Sequence, residues 1–138
     1  MIESPLLQNL TGYIGGRWTD SAGGSTFDVY NPATGEVIAK VPSMPEQDIL
    51  DAVEAGKQAL RLTNPYPLET RRKWLEDTRD ALKDNREEIG RILCMEHGKP
   101  WKEGQGEVDY AAGFFDYCAK HIQALDAHTL SEKPKDCT

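Results

Sequence analysis

The sequence contains few cysteines and no apolar run long enough to cross a membrane. Its three cysteines, Cys94, Cys118 and Cys137, are an odd number at wide spacing, unlike the paired cysteines of a disulfide-rich secreted domain. The first ten residues, MIESPLLQNL, lack the basic segment and the apolar stretch of a signal peptide. These absences predict a cytoplasmic protein with free thiols.

Basic residues are scarce relative to acidic ones. The chain has 16 Lys and Arg against 23 Asp and Glu, which gives a formal net charge of −7, and such a chain repels phosphate backbones and anionic lipids. We therefore expect neither nucleic acid nor a membrane as a partner. Hydrophobic residues make up 38% of the 138 residues, which is enough for a single folded unit spanning residues 1–138.

Residues 1–42 favour strands and turns. Short runs of aromatic and β-branched residues are separated by Gly-Gly pairs at residues 15–16 and 23–24 and by NPATG at residues 31–35. Runs of this kind between turn-forming residues are typical of hairpins. The pattern predicts a small array of antiparallel β-hairpins preceded by a short tail.

Helical spacing of the apolar residues begins after residue 42. Ser43 and Glu46 have the Ser-x-x-Glu form of a capping box, which predicts the start of a first helix. Pro65 and Pro67 must end that helix, because proline lacks the donor and restricts its predecessor. A second helix is predicted over residues 68–85.

Two more helices complete the predicted fold. Asn85 and Glu88 repeat the capping pattern and predict a third helix, which Gly98 ends. Residues 101–125 predict one long fourth helix, so that the helices together occupy residues 43–128. Residues 129–138 are polar and read as a connection that stops before its next element. The sequence thus predicts an α+β fold in which a hairpin array is followed by four helices, the last one long.

The predicted fourth helix carries two apolar stripes. The first is predicted to be core and comprises Val108, Ala111, Ala112, Phe115, Cys118, Ala119, Ile122 and Leu125. The second lies beside it and comprises Tyr110, Phe114, Tyr117, His121 and Ala124. A helix with two such stripes requires partners on two sides.

Two Cys-x-x-His pairs provide the sharpest local hypothesis. Cys94 with His97, and Cys118 with His121, each place a thiol and an imidazole one helical turn apart, and four such ligands suit tetrahedral zinc. The competing interpretation is structural, because buried cysteine behaves as a small hydrophobe. On that interpretation Cys94 and Cys118 react slowly with thiol reagents and Cys137, in a polar tail, reacts fast.

Two glycines near the start of the fourth helix form a partial nucleotide-binding pattern. Gly104-Gln105-Gly106 matches the start of a dinucleotide fingerprint but lacks the third glycine and follows no predicted strand. We reject it as a phosphate cradle. Glu103 and Glu107, one turn apart, are interpreted as a solvated helix face in which acidic residues favour the helix dipole.

Three motifs in order resemble the N-terminal signatures of the aldehyde dehydrogenase superfamily. They are YIGGRW at residues 13–18, NPATGE at residues 31–36, and Gly-Lys-Pro at residues 98–100 followed by Glu103 and Glu107. The resemblance covers nearly the whole chain from about Tyr13 onward, and the sequence also resembles the semialdehyde-oxidising branch.

The resemblance implies that the chemistry lies elsewhere. In this family the cofactor cleft, the oxyanion asparagine, the general-base glutamate and the nucleophilic cysteine all come later in a much longer chain. We therefore expect no catalytic and no cofactor-binding residue here, although the full-length family uses NAD or NADP. An acidic residue just before the Gly-Lys-Pro motif helps to hold a structural monovalent cation in the family. By position this residue is Glu96, where many relatives carry aspartate.

The leading hypothesis is a scaffold segment of an NAD(P)-dependent aldehyde dehydrogenase, inactive alone. Its implied partners are the remainder of such a chain and, through it, further copies in a homo-oligomer. The alternatives are a free-standing interaction or zinc-binding module, and one half of a split enzyme whose catalytic half is another chain.

Overall fold

The computed structural model describes residues 1–63 and 66–125. In this part of the chain the elements are β1 Gly12–Ile14, β2 Arg17–Thr19, β3 Thr26–Tyr30, β4 Val37–Pro42, α1 Glu46–Thr63, α2 Leu68–Asp84, α3 Arg86–His97 and α4 Trp101–Lys120. Short 3₁₀ turns occupy Pro5–Leu7 and Ile122–Leu125. The predicted α+β order of hairpins followed by four helices is confirmed. Within the described residues no helix is both long and apolar enough to span a membrane.

The strands form two separate antiparallel hairpins. β1 pairs with β2, and Ile14 lies opposite Arg17, so the connection is the two residues Gly15 and Gly16. Both glycines have positive φ, 59° and 81°, as the turn that matches the twist of a two-residue hairpin requires. The hairpin predicted from the Gly-Gly pair is therefore confirmed.

The second hairpin, β3 with β4, is closed by the NPATG turn. The Asn31 carbonyl accepts the Gly35 N–H at 2.8 Å, and the Asn31 side chain accepts the Ala33 N–H at 2.9 Å. Asparagine suits this position because its side chain reproduces a backbone turn. The tail joins this hairpin, since the Ile2 N–H donates to the Ile38 carbonyl at 2.7 Å.

The predicted capping box at Ser43 is wrong. The Ser43 N–H donates to the Ser25 carbonyl at 2.8 Å, and the Ser43 carbonyl accepts the Ser21 hydroxyl at 2.7 Å. Ser43 thus extends the hydrogen bonding of the β3–β4 hairpin, and α1 begins three residues later at Glu46. A long-range pairing has displaced a local capping preference.

Helix α1 lies beside the hairpins. The buried Asp48 carboxylate accepts the Ala22 N–H at 3.1 Å, and Ala55 faces Gly15. The helix otherwise keeps much of its apolar surface in solvent. Its exposed large side chains are Ile49, Leu50, Val53, Leu60 and Leu62.

The second predicted cap, at Asn85 between α2 and α3, is also wrong. The Asn85 side chain does not cap α3; its amide donates to the Ala81 carbonyl at 2.8 Å, which completes the C-terminal turn of α2. At the other end of α3, Gly98 adopts the left-handed conformation with φ 69°, and its N–H donates to the Cys94 carbonyl. The predicted glycine stop is confirmed.

Helices α3 and α4 cross at a pair of glycines. A Cβ added to Gly104 would lie 2.6 Å from the Gly90 carbonyl oxygen and 2.7 Å from the Cys94 sulfur. A Cβ added to Gly90 would lie 3.2 Å from the backbone nitrogen of Gln105. The backbones therefore approach more closely than any side chain permits. This contact explains the glycine at position 104 without a bound phosphate.

Ion pairs fix the remaining faces of α4. Arg86 donates two bonds of 2.7 Å to Asp109, and Arg79 of α2 reaches Asp116 at 3.0 Å. The hydrogen bonds from Arg86 lower the pKa of Asp109. Hydrogen bonds from Lys120, and secondly from Arg79, lower the pKa of Asp116. The two pairs bind α4 to α3 and to α2.

The fourth helix is shorter than predicted. Its last α-helical residue is Lys120, and a 3₁₀ turn replaces the expected helix after His121. The predicted core stripe is confirmed where Val108, Ala112, Ala119 and Ile122 are buried.

The tail is fastened to α3 by Arg91. Its guanidinium donates to both Glu88 oxygens, at 2.6 and 3.0 Å, and to the Glu3 carbonyl at 2.6 Å. Hydrogen bonds from Arg91 and then from Ser4 lower the pKa of Glu88 to about 2. The tail is thereby held between β4 and α3.

The glycine crossing gives a matched pair of substitutions. We expect Gly104→Ala to reduce the free energy of unfolding by about 1 to 3 kcal/mol, because the new methyl must displace the α3 backbone. Gly106→Ala should be neutral or stabilise by up to about 1 kcal/mol, because nothing lies within 4 Å of its Cβ position and alanine favours helix. Urea unfolding followed by circular dichroism measures both. Equal effects of the two substitutions would contradict the close contact.

Candidate functional site

An exposed apolar surface runs along the outer side of α4. Tyr110, Phe114 and Tyr117 are 67%, 56% and 61% exposed. Tyr110 and Phe114 meet edge to face with ring centroids 4.7 Å apart, and Tyr117 stacks on His121 at 4.1 Å. The predicted second stripe is confirmed, and within the described residues these three rings remain largely in solvent. Such a surface is typical of a contact site for another polypeptide.

The exposure follows from the way α4 packs. Its inner side presents small residues such as Ala112 and Ala119, which are 0% and 2% exposed, and small side chains let neighbouring helices approach closely. Tyr110, Phe114 and Tyr117 are left on the opposite side. The packing of α2 and α3 therefore determines which side of α4 remains free for a partner.

A groove of about 450 Å³ lies where α4 ends, between α2 and the 3₁₀ turn. Its walls are Arg71, Trp74, Leu75, Thr78, Tyr117, Cys118, His121, Ile122 and Ala124. A second hollow of about 440 Å³ beside Gly113 shares Tyr117 with it. The two hollows make one continuous, largely apolar surface with Arg71 at its edge, which suits an apolar side chain.

The two Cys-x-x-His pairs do not form a metal centre. The Cys94 sulfur lies against Gly104, whereas Cys118 lies 14 positions further along α4, about 21 Å away at 1.5 Å per residue. Among the described residues, no group of three or more His, Cys, Asp or Glu side chains is placed to hold a metal ion. The geometry gives the zinc hypothesis no support.

The predicted burial of Cys118 is wrong. Cys118 is exposed in the groove, and Cys94 is half-buried at the helix crossing. On α4 the buried side is centred on Ala112 and Ala119, and Cys118 lies at its edge. Cys137 lies outside the described residues.

Two of the recognised motifs are packed together. Pro32 of the NPATG turn contacts Gly98, where an added Cβ would lie 2.9 Å from the Pro32 ring. Lys99 then donates to Glu107 of α4 at 2.5 Å and lowers the pKa of that carboxyl. The Gly-Lys-Pro motif thus joins the second hairpin to α4. Glu96 is exposed beside it, and its role as a cation ligand stays a prediction.

A model of the aldehyde dehydrogenase family matches residues 18–138. The match includes the second hairpin, all four helices and the contact between the two motifs. The chain belongs to the aldehyde dehydrogenase family.

Similar proteins of known sequence or structure agree with this assignment. The mitochondrial succinate-semialdehyde dehydrogenase of Arabidopsis thaliana is 39% identical over 90% of this chain and 24% of its own length. A crystal structure of an oxidoreductase from Marinobacter aquaeolei is 85% identical with a TM-score of 0.93, over 99% of this chain and 28% of that chain. Betaine aldehyde dehydrogenase from Staphylococcus aureus, solved with NAD+, is 27% identical with a TM-score of 0.86, over 93% of this chain and 26% of that chain. The chain spans about a quarter of the length of these relatives.

Sequence reasoning missed the groove. No spacing rule relates Arg71 and Trp74 of α2 to Cys118, which is more than 40 positions away. The available signal was the second apolar stripe on α4, which predicted an outer contact surface but not its neighbours on α2.

The two described thiols should differ in reactivity. We expect Cys118 to react with iodoacetamide at least about 10-fold faster than Cys94, because access of the reagent to the sulfur limits the reaction. Mass spectrometry of the alkylated peptides separates the sites, and in denaturant the two rates should converge. Faster alkylation of Cys94 in the folded chain would show that the α3–α4 contact does not shield it.

Proposed function

We propose that this chain is the N-terminal scaffold segment of an NAD(P)-dependent aldehyde dehydrogenase, which oxidises an aldehyde to a carboxylic acid. The observation that carries the proposal is the contact of Pro32 with Gly98, which unites two family motifs in one structural unit. The family match over residues 18–138 supports it. The names of the semialdehyde dehydrogenase relatives favour a semialdehyde substrate.

The reaction proceeds through a cysteine thioester. A thiolate adds to the aldehyde carbonyl, the hydride passes to the nicotinamide, and water hydrolyses the thioester to the acid. Neither Gly104 nor Cys94 suits this chemistry, the first as a cofactor-binding residue and the second as the nucleophile. The α3 backbone occupies the space beside Gly104, so a phosphate cannot bind there. The Cys94 sulfur packs into the same contact. On this proposal the nucleophile and the cofactor site belong to the remainder of the enzyme.

The role of this segment is to support that remainder. The exposed apolar residues of α1 and α4 supply surface against which the later parts of the enzyme pack. Assembly into a homo-oligomer and location in the cytoplasm belong to the same proposal. The free thiols of Cys94 and Cys118 favour a reducing compartment.

The isolated chain should be inactive. We expect no NADH or NADPH formation with succinic, malonic or glutaric semialdehyde, and no heat of NAD or NADP binding in calorimetry, because the reactive groups lie elsewhere. Absorbance at the nicotinamide wavelength measures turnover against a blank without protein. Turnover above that blank would contradict a purely supporting role.

A chimera tests the proposal in the positive sense. Replacing the matching segment of the Marinobacter aquaeolei oxidoreductase by residues 18–138 should preserve the turnover number of that protein with its own substrate. The two segments share 85% identity, so their packing surfaces are closely similar. Carrying Gly104→Ala into the chimera should lower its thermal stability before its turnover number. A folded chimera of native oligomeric state that has lost turnover would contradict the supporting role.

A split enzyme remains the second candidate. It requires a separate catalytic chain, and affinity purification of the tagged 138-residue chain from its native cells would retain that larger chain in stoichiometric amount.

A further inference from the structure

A β-bulge in the second hairpin leaves a backbone acceptor for the N-terminal tail. The register of β3 against β4 shifts between Val29 and Tyr30, so Ile38 is an extra residue of β4, opposite no residue of the described strand β3. The extra residue of a bulge is left out of the ladder. The Ile38 side chain is buried, and its carbonyl accepts the Ile2 N–H at 2.7 Å. The bulge thus gives the tail a place to pair with β4.

Arg91 of α3 binds the next residue of the tail. Glu88 accepts two hydrogen bonds from the Arg91 guanidinium, from Nε at 3.0 Å and from Nη2 at 2.6 Å. Nη2 has a second hydrogen, which it donates to the Glu3 carbonyl at 2.6 Å. The donors of a guanidinium form a rigid planar fork, whereas lysine offers a compact charge on a flexible stem. Lysine at this position can therefore keep the ion pair with Glu88 but does not reproduce the fixed bond to the tail.

We propose that residues 2–4 form a strap across β4 and α3, that Arg91 is its latch, and that the latched strap fixes the orientation of the second hairpin on α3. The turn of this hairpin already meets the end of α3, where Pro32 contacts Gly98. A single point of contact permits rotation about that point, whereas two separated points prevent it. Arg91 lies seven residues before Gly98, which is roughly 10 Å along the helix. The strap supplies the second point.

The strap needs no free surface on the outer sides of α1 or α4. Its backbone bonds and the Arg91–Glu88 pair lie entirely within residues 2–91. A few hydrogen bonds open far more readily than a packed helix crossing. The strap can therefore detach while α3 remains packed on α4. This makes the strap a conformational device that links the tail to the NPATG turn, and the inference stands apart from the scaffold role.

Cleavage by the glutamate-specific protease Glu-C measures opening of the latch. Cleavage after Glu3 requires that the strap leave α3 and β4, because a protease acts on the locally opened chain. We expect Arg91→Lys to raise the rate of this cleavage by at least about 10-fold, the factor for loss of one hydrogen bond from a charged donor. Mass spectrometry detects the loss of the first three residues.

Arg86→Lys is the matched control for the latch. Arg86 lies on the same helix and forms the same kind of two-bond pair, with Asp109. It should leave the rate of cleavage after Glu3 unchanged. Far-UV circular dichroism confirms that each variant keeps its helices.

The nuclear Overhauser effect between the Pro32 ring and the Gly98 α protons measures the position of the hairpin. Deletion of residues 2–4 should weaken this signal at least about twofold, because the hairpin is then held at one point only. Arg91→Lys should weaken it to a similar extent. The deletion combined with Arg91→Lys should weaken it no further, since both changes remove the same attachment.

Three results would overturn the proposal. Equally fast cleavage after Glu3 in the unmodified chain and in Arg91→Lys would show that Arg91 does not hold the strap. Faster cleavage with an unchanged signal between Pro32 and Gly98 would show that the strap opens without any effect on the hairpin. Additive losses of signal from the deletion and from Arg91→Lys would show that the two act through separate contacts.

Discussion

The close contact between Gly90 and Gly104 is the constraint on which the helical part of the structure depends. Because neither residue has a Cβ, the backbones of α3 and α4 meet directly, and the Cys94 sulfur fills the space beside them. The crossing fixes the course of the chain between the two helices. Gly98 ends α3 in the left-handed conformation, and its turn lies against Pro32 of the second hairpin. One pair of glycines thus sets the position of the hairpin relative to α4.

The same crossing decides which side of α4 is free. Since the small side chains Ala112 and Ala119 face inward, Tyr110, Phe114 and Tyr117 are directed outward and remain largely in solvent. Helix α1 likewise leaves several apolar side chains in solvent. A chain that spans about a quarter of its relatives' length cannot bury all its apolar surface within itself. These exposed faces are the surfaces that we propose to pack against the remainder of an aldehyde dehydrogenase.

Local signals in the sequence predicted the elements well and their connections less well. The Gly-Gly hairpin and the Gly98 stop were predictable because they depend on residues adjacent in sequence. The caps at Ser43 and Asn85 were not, because each has a competing partner. Ser43 pairs with the strand region at Ser25, and Asn85 completes α2 through Ala81.

At the site, too, features that depend on neighbouring residues were predictable from the sequence, and features that depend on distant residues were not. The outer stripe of α4 follows from periodicity alone, whereas the groove depends on α2 residues whose contacts no spacing reveals. Gly104 illustrates the limit most clearly. The sequence pattern around Gly104 allowed us to reject a phosphate site but did not explain the glycine. The explanation is the close contact with Gly90, which lies on another helix. A single sequence contains no local signal for such a contact.

Amide hydrogen exchange of the 138-residue chain, resolved by residue, tests the central role of the crossing most directly. Slowest exchange should occur in α3 and α4 around Gly90 and Gly104, because opening there requires separation of the two helices. Helix α1, which is held chiefly by β1 and the Asp48 contact, should exchange earlier. Exchange that is fastest at the crossing, or equally slow in α1 and at the crossing, would contradict the account.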